Sequence, residues 1–88
     1  MTYESEFTPT FLKLLKKLDR QIRERVLKAI EEVLSDPRRG SRLVFAKHVC
    51  FKWRIANYRM IYTIDEKRKV VTFIVVHRRS RVYKRYGL

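Results

Sequence analysis

A single cysteine, Cys50, stands among the 88 residues, which excludes an internal disulfide. Two histidines, His48 and His77, are spread too thinly with it to form a cluster at metal-ligand spacing. Neither a metal nor a cofactor is therefore expected. Glycine and proline are equally scarce, two of each, so there is no phosphate-cradling glycine loop and no linker of low complexity. The longest apolar run, Val70 to Val76, is interrupted by Thr72 and is far too short to span a bilayer. The opening Met-Thr-Tyr-Glu-Ser-Glu-Phe has neither the basic start nor the apolar stretch of a signal peptide. A cytoplasmic protein without membrane association is expected.

Acidic residues are the scarcity with the largest consequence. Residues 1–36 carry seven Lys/Arg and seven Asp/Glu, whereas residues 37–88 carry fifteen Lys/Arg against Asp65 and Glu66 alone. The whole formal charge of +13 thus sits in the second part of the chain. Self-repulsion of that size is offset most readily by a polyanion or an acidic protein partner, and nucleic acid is the favoured class. At 45% apolar residues the chain suits one domain, residues 1–88, around a single modest core.

Hydrophobic spacing supplies the elements. Residues 2–7 alternate, with Tyr3, Ser5 and Phe7 on one side of a short strand. Thr8-Pro9 reads as an N-cap followed by proline in the first turn, and Phe11, Leu14, Leu15 and Leu18 continue at helical spacing. From Asp19, a second cap, Ile22, Val26, Ala29, Ile30, Val33 and Leu34 form one apolar stripe that ends at Ser35-Asp36-Pro37. Residues 42–48, 50–56, 58–64 and 69–77 are rich in β-branched and aromatic residues, with Asp65 to Arg68 as a hairpin turn. The last segment is apolar on both parities, as a central strand covered on both sides would be. The expected fold is α+β in the order β-α-α-β-β-β, a helical hairpin packed on a twisted antiparallel sheet.

The stretch CFKWRIANYR, residues 50–59, puts Phe51, Trp53 and Ile55 on the core parity and Lys52 and Arg54 on the other. Arg59 opens the neighbouring strand, while Arg78 and Arg79 lie at the exit of the last one. Antiparallel pairing is expected to gather these cations on one concave patch, extended by Arg81, Lys84 and Arg85 and joined by the phenol of Tyr83. Any one of them alone is ordinary solubilising charge; their recurrence on one parity beside a tyrosine is what suggests a site. Lys, Arg and Tyr suit attack of an RNA 2′-hydroxyl on its own adjacent phosphodiester. That step needs a base, an acid for the leaving 5′-oxygen, and cations on the crowded phosphorane. Arginine's planar fork fits phosphate oxygens, and a lysine or tyrosine serves as base only where neighbouring cations depress its pKa.

The element order, the helical segment LDRQIRERVLKAIEEVLSDP, the hairpin WRIANYRMIYTID and the terminal VHRRSRVY together resemble the RelE/ParE superfamily of toxin–antitoxin toxins over nearly the whole chain. The resemblance implies a RelE-type fold and one of two activities. RelE-like members are ribosome-dependent endoribonucleases that cut messenger RNA; ParE-like members inhibit DNA gyrase. It also implies a cognate RelB-like antitoxin that covers the basic face, in a heterotetramer or higher assembly. Carried over by motif, Lys52 and Arg54 match the catalytic basic positions, and Arg59 and Arg78 match arginines that stabilise the transition state. Tyr83 matches the terminal tyrosine, and Arg79 or Arg81 can replace Arg78 with a one-residue shift. The basic pair with a terminal aromatic favours the nuclease branch over a gyrase inhibitor, and an inactive family member or plain nucleic-acid-binding module stands as a third reading.

Around this set, Arg42, Lys47, His77, Arg79, Arg81, Lys84 and Arg85 are expected to contact RNA. Arg38 and Arg39 are either ribosomal RNA contacts or solvated loop charge. His77 reads as a phosphate contact or structural residue more readily than as an acid or base. Trp53 belongs to the core by parity and Cys50 is a small buried hydrophobe. Tyr58 and Tyr86 are stacking candidates, although an aromatic on a strand is usually packing.

Overall fold

Thr8 joins the two layers of the fold. In the computed structural model, which describes residues 2–45 and 47–86, its hydroxyl oxygen accepts from the Phe11 N–H at 3.0 Å and donates to the Ile74 carbonyl at 2.7 Å. Its backbone N–H donates to the Phe73 carbonyl at 3.1 Å. One residue therefore caps helix α1 (Pro9–Lys17) and ties it to strand β5 (Val70–Arg78). Asp19 caps α2 (Arg20–Ser35) in the same manner, accepting from the Ile22 N–H. The Arg23 guanidinium donates to the Leu18 carbonyl at 2.8 Å, satisfying the end of α1 that the missing loop would otherwise strand.

Strands β1 (Glu4–Phe7), β2 (Ser41–Phe45), β3 (His48–Ile55) and β4 (Tyr58–Asp65) complete a five-stranded sheet with β5, ordered β1-β5-β4-β3-β2. Two features differ from expectation. Four strands follow the helices, as the four segments imply, so the order β-α-α-β-β-β counts one too few. The sheet is also mixed, because β1 runs parallel to β5, while β2 to β5 form antiparallel neighbours. Short turns force antiparallel pairing along β2–β5. No turn joins β1 to its partner, so period-2 patterning leaves that direction open. As the patterning of its residues implies, β5 is an internal strand covered on both faces, although β4 is the middle one.

Alternation divides the sheet into two apolar faces. Phe51, Ile55, Met60, Tyr62, Val71, Phe73 and Val76 meet Phe11, Leu18, Val26, Ala29, Ile30 and Val33 of the helices in the main core. Each of the large aliphatic and phenylalanine side chains among them contributes about 1.5–3 kcal/mol on burial. Cys50, Ile61 and Val75 face the other way and are covered by Val82. Opposite Ile61 and Tyr62 the register slips by one, Ile61 pairing with Val75 and Tyr62 with Phe73, so Ile74 is the extra residue of a bulge in β5. Ile74 and Val75 both face the second cluster, and Val76 shares the helix face with Phe73. Val82 belongs to a third helix, α3 (Arg79–Tyr86), that sequence patterning misses. Among its described side chains Val82 is the apolar anchor, set in a run of cations that does not register as a periodic stripe. Among the described residues no helix is long and apolar enough to cross a membrane.

Between α2 and β2 a short 3₁₀ turn, Pro37–Arg39, is pinned to the sheet by Tyr62. Its hydroxyl donates to the Pro37 carbonyl at 2.6 Å and receives the Gly40 backbone N–H. Burial pushes the phenol up to about 12, so it stays a neutral donor across the physiological range. A Cβ at Gly40 would run into that hydroxyl and the Lys52 carbonyl, which is why glycine stands there. Gly40→Ala is expected to lower stability by about 1–3 kcal/mol in urea denaturation. In a Tyr62→Phe background its cost should shrink without vanishing, because the hydroxyl has gone while the Lys52 carbonyl remains.

Candidate functional site

The pairing of β3, β4 and β5 lays three basic side chains in a line. Arg54 lies opposite Arg59, and Arg59 lies opposite His77. Directly paired residues share a face, with Cα atoms about 5 Å apart, so the row spans about 10 Å. Lys52 stands on the same face one pleat away from Arg54, about 7 Å along β3. Arg54 is exposed; Lys52, Arg59 and His77 are partly buried. The convergence expected for Lys52, Arg54 and Arg59 is thus a property of the register.

Arg59 is held by the turn that precedes it. Its Nη1 donates to the carbonyls of Ala56 at 3.2 Å and Tyr58 at 2.9 Å. Ala56 sits at φ 50°, in the left-handed region, which costs a non-glycine residue about 1–2 kcal/mol. The neighbouring Asn57 carbonyl accepts from the Arg79 N–H at 2.7 Å, so one two-residue turn fixes both the central arginine and the start of α3.

Other expected members lie elsewhere. Arg78 pairs with Tyr58, which packs against the main core, and its guanidinium carbon lies 5.9 Å from the Tyr58 ring. It therefore projects on the helix face, and the residue that completes the row is His77. The VHRR motif points to this strand end, and the one-residue bulge at Ile74 decides the parity, setting His77 opposite Arg59 and Arg78 opposite Tyr58. Arg79 opens α3, and Arg81 lines a groove with Leu14, Lys17 and Tyr58 at the end of α1. Arg42 pairs with Phe51 and so lies on the helix face, and Lys47 is in the β2–β3 turn at φ 68°. Neither reaches the row. The side chains of Tyr83, Lys84, Arg85 and Tyr86 lie outside the described residues. Burial raises the Cys50 thiol, which keeps it protonated and inert. Among the described residues no group of three His, Cys, Asp or Glu side chains could hold a metal ion.

The arrangement can bind one phosphodiester between Arg54, Arg59 and His77, with Lys52 beside it. Two guanidinium groups supply planar donors to phosphate oxygens, and an imidazole in the same row can carry a proton.

Comparison with known proteins yields a consistent set. Residues 6–83 match the family model described as ParE toxin of type II toxin-antitoxin system, parDE. The chain is 31% identical over 83 residues to the mRNA interferase toxin RelE of Escherichia coli (strain K12), covering 92% of this chain and 87% of that protein. In structure it is similar to the toxin of the RelBE2 toxin–antitoxin complex from Mycobacterium tuberculosis. There the TM-score is 0.82 at 28% identity, over 91% of this chain and 94% of that one. It is also similar to the isolated RelE toxin of E. coli, with a TM-score of 0.75 at 28% identity over 94% and 97%.

Like charges directly across a strand pair repel by about 0.2–1 kcal/mol. Arg54→Gln is therefore expected to raise the thermal midpoint slightly at low salt, and the gain should fade in ~0.5 M salt as screening removes the repulsion. Thermal melts at two ionic strengths check this.

Proposed function

The chain belongs to the RelE/ParE superfamily of type II toxins, and from that premise we propose that it is a RelE-like mRNA interferase. On this reading it cleaves messenger RNA on the ribosome in the cytoplasm, without a metal, and a cognate RelB-like antitoxin neutralises it. The observation that carries the reading is the Arg54–Arg59–His77 row with Lys52 beside it. The E. coli relative, named an mRNA interferase toxin, supports the same reaction class. The RelE–RelB complexes among the structural relatives support the partner class. A toxin–antitoxin heterotetramer or higher assembly follows from the same family logic.

In the proposed reaction the 2′-oxygen attacks the adjacent phosphorus while a base takes its proton. The P–O5′ bond breaks, the 5′-oxygen gains a proton, and a 2′,3′-cyclic phosphate remains. Arg59, fixed by the turn carbonyls, meets the developing charge on the non-bridging oxygens, and Arg54 meets it from the neighbouring strand. Lys52 adds positive charge from the same face. Tyr83 enters the reaction by its match to the motif alone, and His77 contacts the phosphate in the place expected for Arg78. Catalysis by pre-positioned cations needs no carboxylate pair. Arg79, Arg81, Lys84 and Arg85 guide the approach of RNA, with Arg42 and Lys47 contributing at greater distance.

The test is primer extension on translated transcripts after induction. Arg59→Ala should reduce cleavage about 100-fold or more with an unchanged circular dichroism spectrum. Placement on the row predicts a larger loss for His77→Ala than for Arg78→Ala, the reverse of the order that motif matching gives. Because the matching family model is described as a ParE toxin, intact transcripts accompanied by DNA damage would instead favour gyrase inhibition.

A further inference from the structure

Strand β2 pairs with β3 only as far as Ser41 opposite Lys52, so the edge of β3 from Trp53 to Ile55 opens toward α2. Two adjoining grooves of about 420 and 330 Å³ occupy this opening, and both are lined by Glu32, Trp53 and Arg54. The first adds Arg39 and Lys52, the second Arg25 and Lys28. Five cations thus face one carboxylate. Two of them, Lys52 and Arg54, belong to the face of the row, so groove and row are one continuous cationic surface around the edge of β3.

The floor of the groove is a stacked pair. The Arg39 guanidinium carbon lies 5.1 Å from the centre of the Trp53 ring, within cation–π range. Glu32 holds the guanidinium from the side at 3.7 Å. The Arg39 side chain is 62% exposed, so the guanidinium near the indole is also accessible from solvent. Guanidinium planes stack on unpaired RNA bases, and cations beside a stacking platform are how single strands are held without sequence readout. An acidic peptide would use the cations but has no use for a flat platform.

We propose that this groove is a second RNA site, which receives the messenger strand as it leaves the Arg54–Arg59–His77 row and stacks one base on the Arg39–Trp53 pair. The proposal rests on the nuclease reading and deepens it, in that it names where the substrate runs beyond the scissile linkage. Lys28 and Arg25 then follow the phosphates along α2.

Trp53 is the chain's one tryptophan, so its fluorescence reports on the groove directly. The experiment titrates the full-length protein with 2′-O-methyl oligonucleotides of three and nine nucleotides, which cannot be cleaved. The nine-nucleotide strand should quench Trp53 and bind more tightly than the trimer. Arg39→Ala should weaken it about fivefold or more. Arg39→Lys should weaken it as well, because an ammonium keeps the charge but has no plane to stack. Arg59→Ala should weaken the longer strand more than the trimer, as expected if one strand crosses both sites. The proposal is overturned if Arg39→Ala binds with unchanged or greater affinity. Equal quenching by a polyglutamate of matched charge would likewise overturn it and make the groove a peptide site. The titration needs no ribosome. Quenching without transcript cleavage would therefore sink the nuclease reading alone, and cleavage with an indifferent Arg39 would sink the groove alone.

Discussion

A chain of aromatic rings through the sheet interior constrains everything else in this molecule. Phe51 stacks on Tyr62 at 5.7 Å, Tyr62 meets Phe73 at 5.9 Å, and Phe73 meets both Phe7 and Phe11 at 5.3 and 5.7 Å. Those five residues come from β3, β4, β5, β1 and α1, so the contact is shared by nearly every layer. Each ring buries a large apolar area and each pair adds about 0.5–1.5 kcal/mol beyond it. Once Phe51 and Tyr62 are committed to this interior, strand alternation leaves no choice for their neighbours. Lys52, Arg54 and Arg59 must point to the opposite face.

The cationic face is thereby a by-product of the core, and it carries an electrostatic cost. Arg54 and Arg59 lie directly across from each other, and Arg59 lies across from His77. The protein accepts this because the aromatic interior and the second apolar cluster, Cys50, Ile61, Val75 and Val82, hold the strands from both sides. On the proposed reading this repulsion is relieved by a bound phosphate, and more so as negative charge builds up on it during reaction. The same turn that holds Arg59 through its carbonyls also anchors the first residue of α3. The position of that helix and of the central arginine are therefore coupled through Ala56–Asn57.

Much of this architecture is legible in the sequence. Caps at Thr8 and Asp19, the apolar stripe of α2 and the four strand segments are local signals, and local hydrogen bonding and alternation realise them directly. The basic pair Lys52 and Arg54 is legible for the same reason, because parity within one strand follows from its own apolar residues. Other features rest on long-range choices. Helix α3 is held by Val82 against a sheet face that no local pattern describes. The parallel partner of β1 depends on where the chain returns after two helices. His77 and Arg78 take opposite faces by alternation, and only the bulge at Ile74 and the register with Arg59 and Tyr58 decide which of them joins the row.

The order of residues, by itself, determined that the second part of this chain is cationic and that two helices follow one another in the first, since both are sums or periods over neighbouring residues. It also placed the alternating cations of β3 away from the core. Tertiary structure alone decided which cations meet. Register across three strands aligned Arg54, Arg59 and His77 and turned Arg78 toward Tyr58. The early end of β2 opened the groove where Arg39 lies on Trp53. Those outcomes depend on pairings between distant segments, whose register is set by how the buried rings pack and not by any short stretch of the chain.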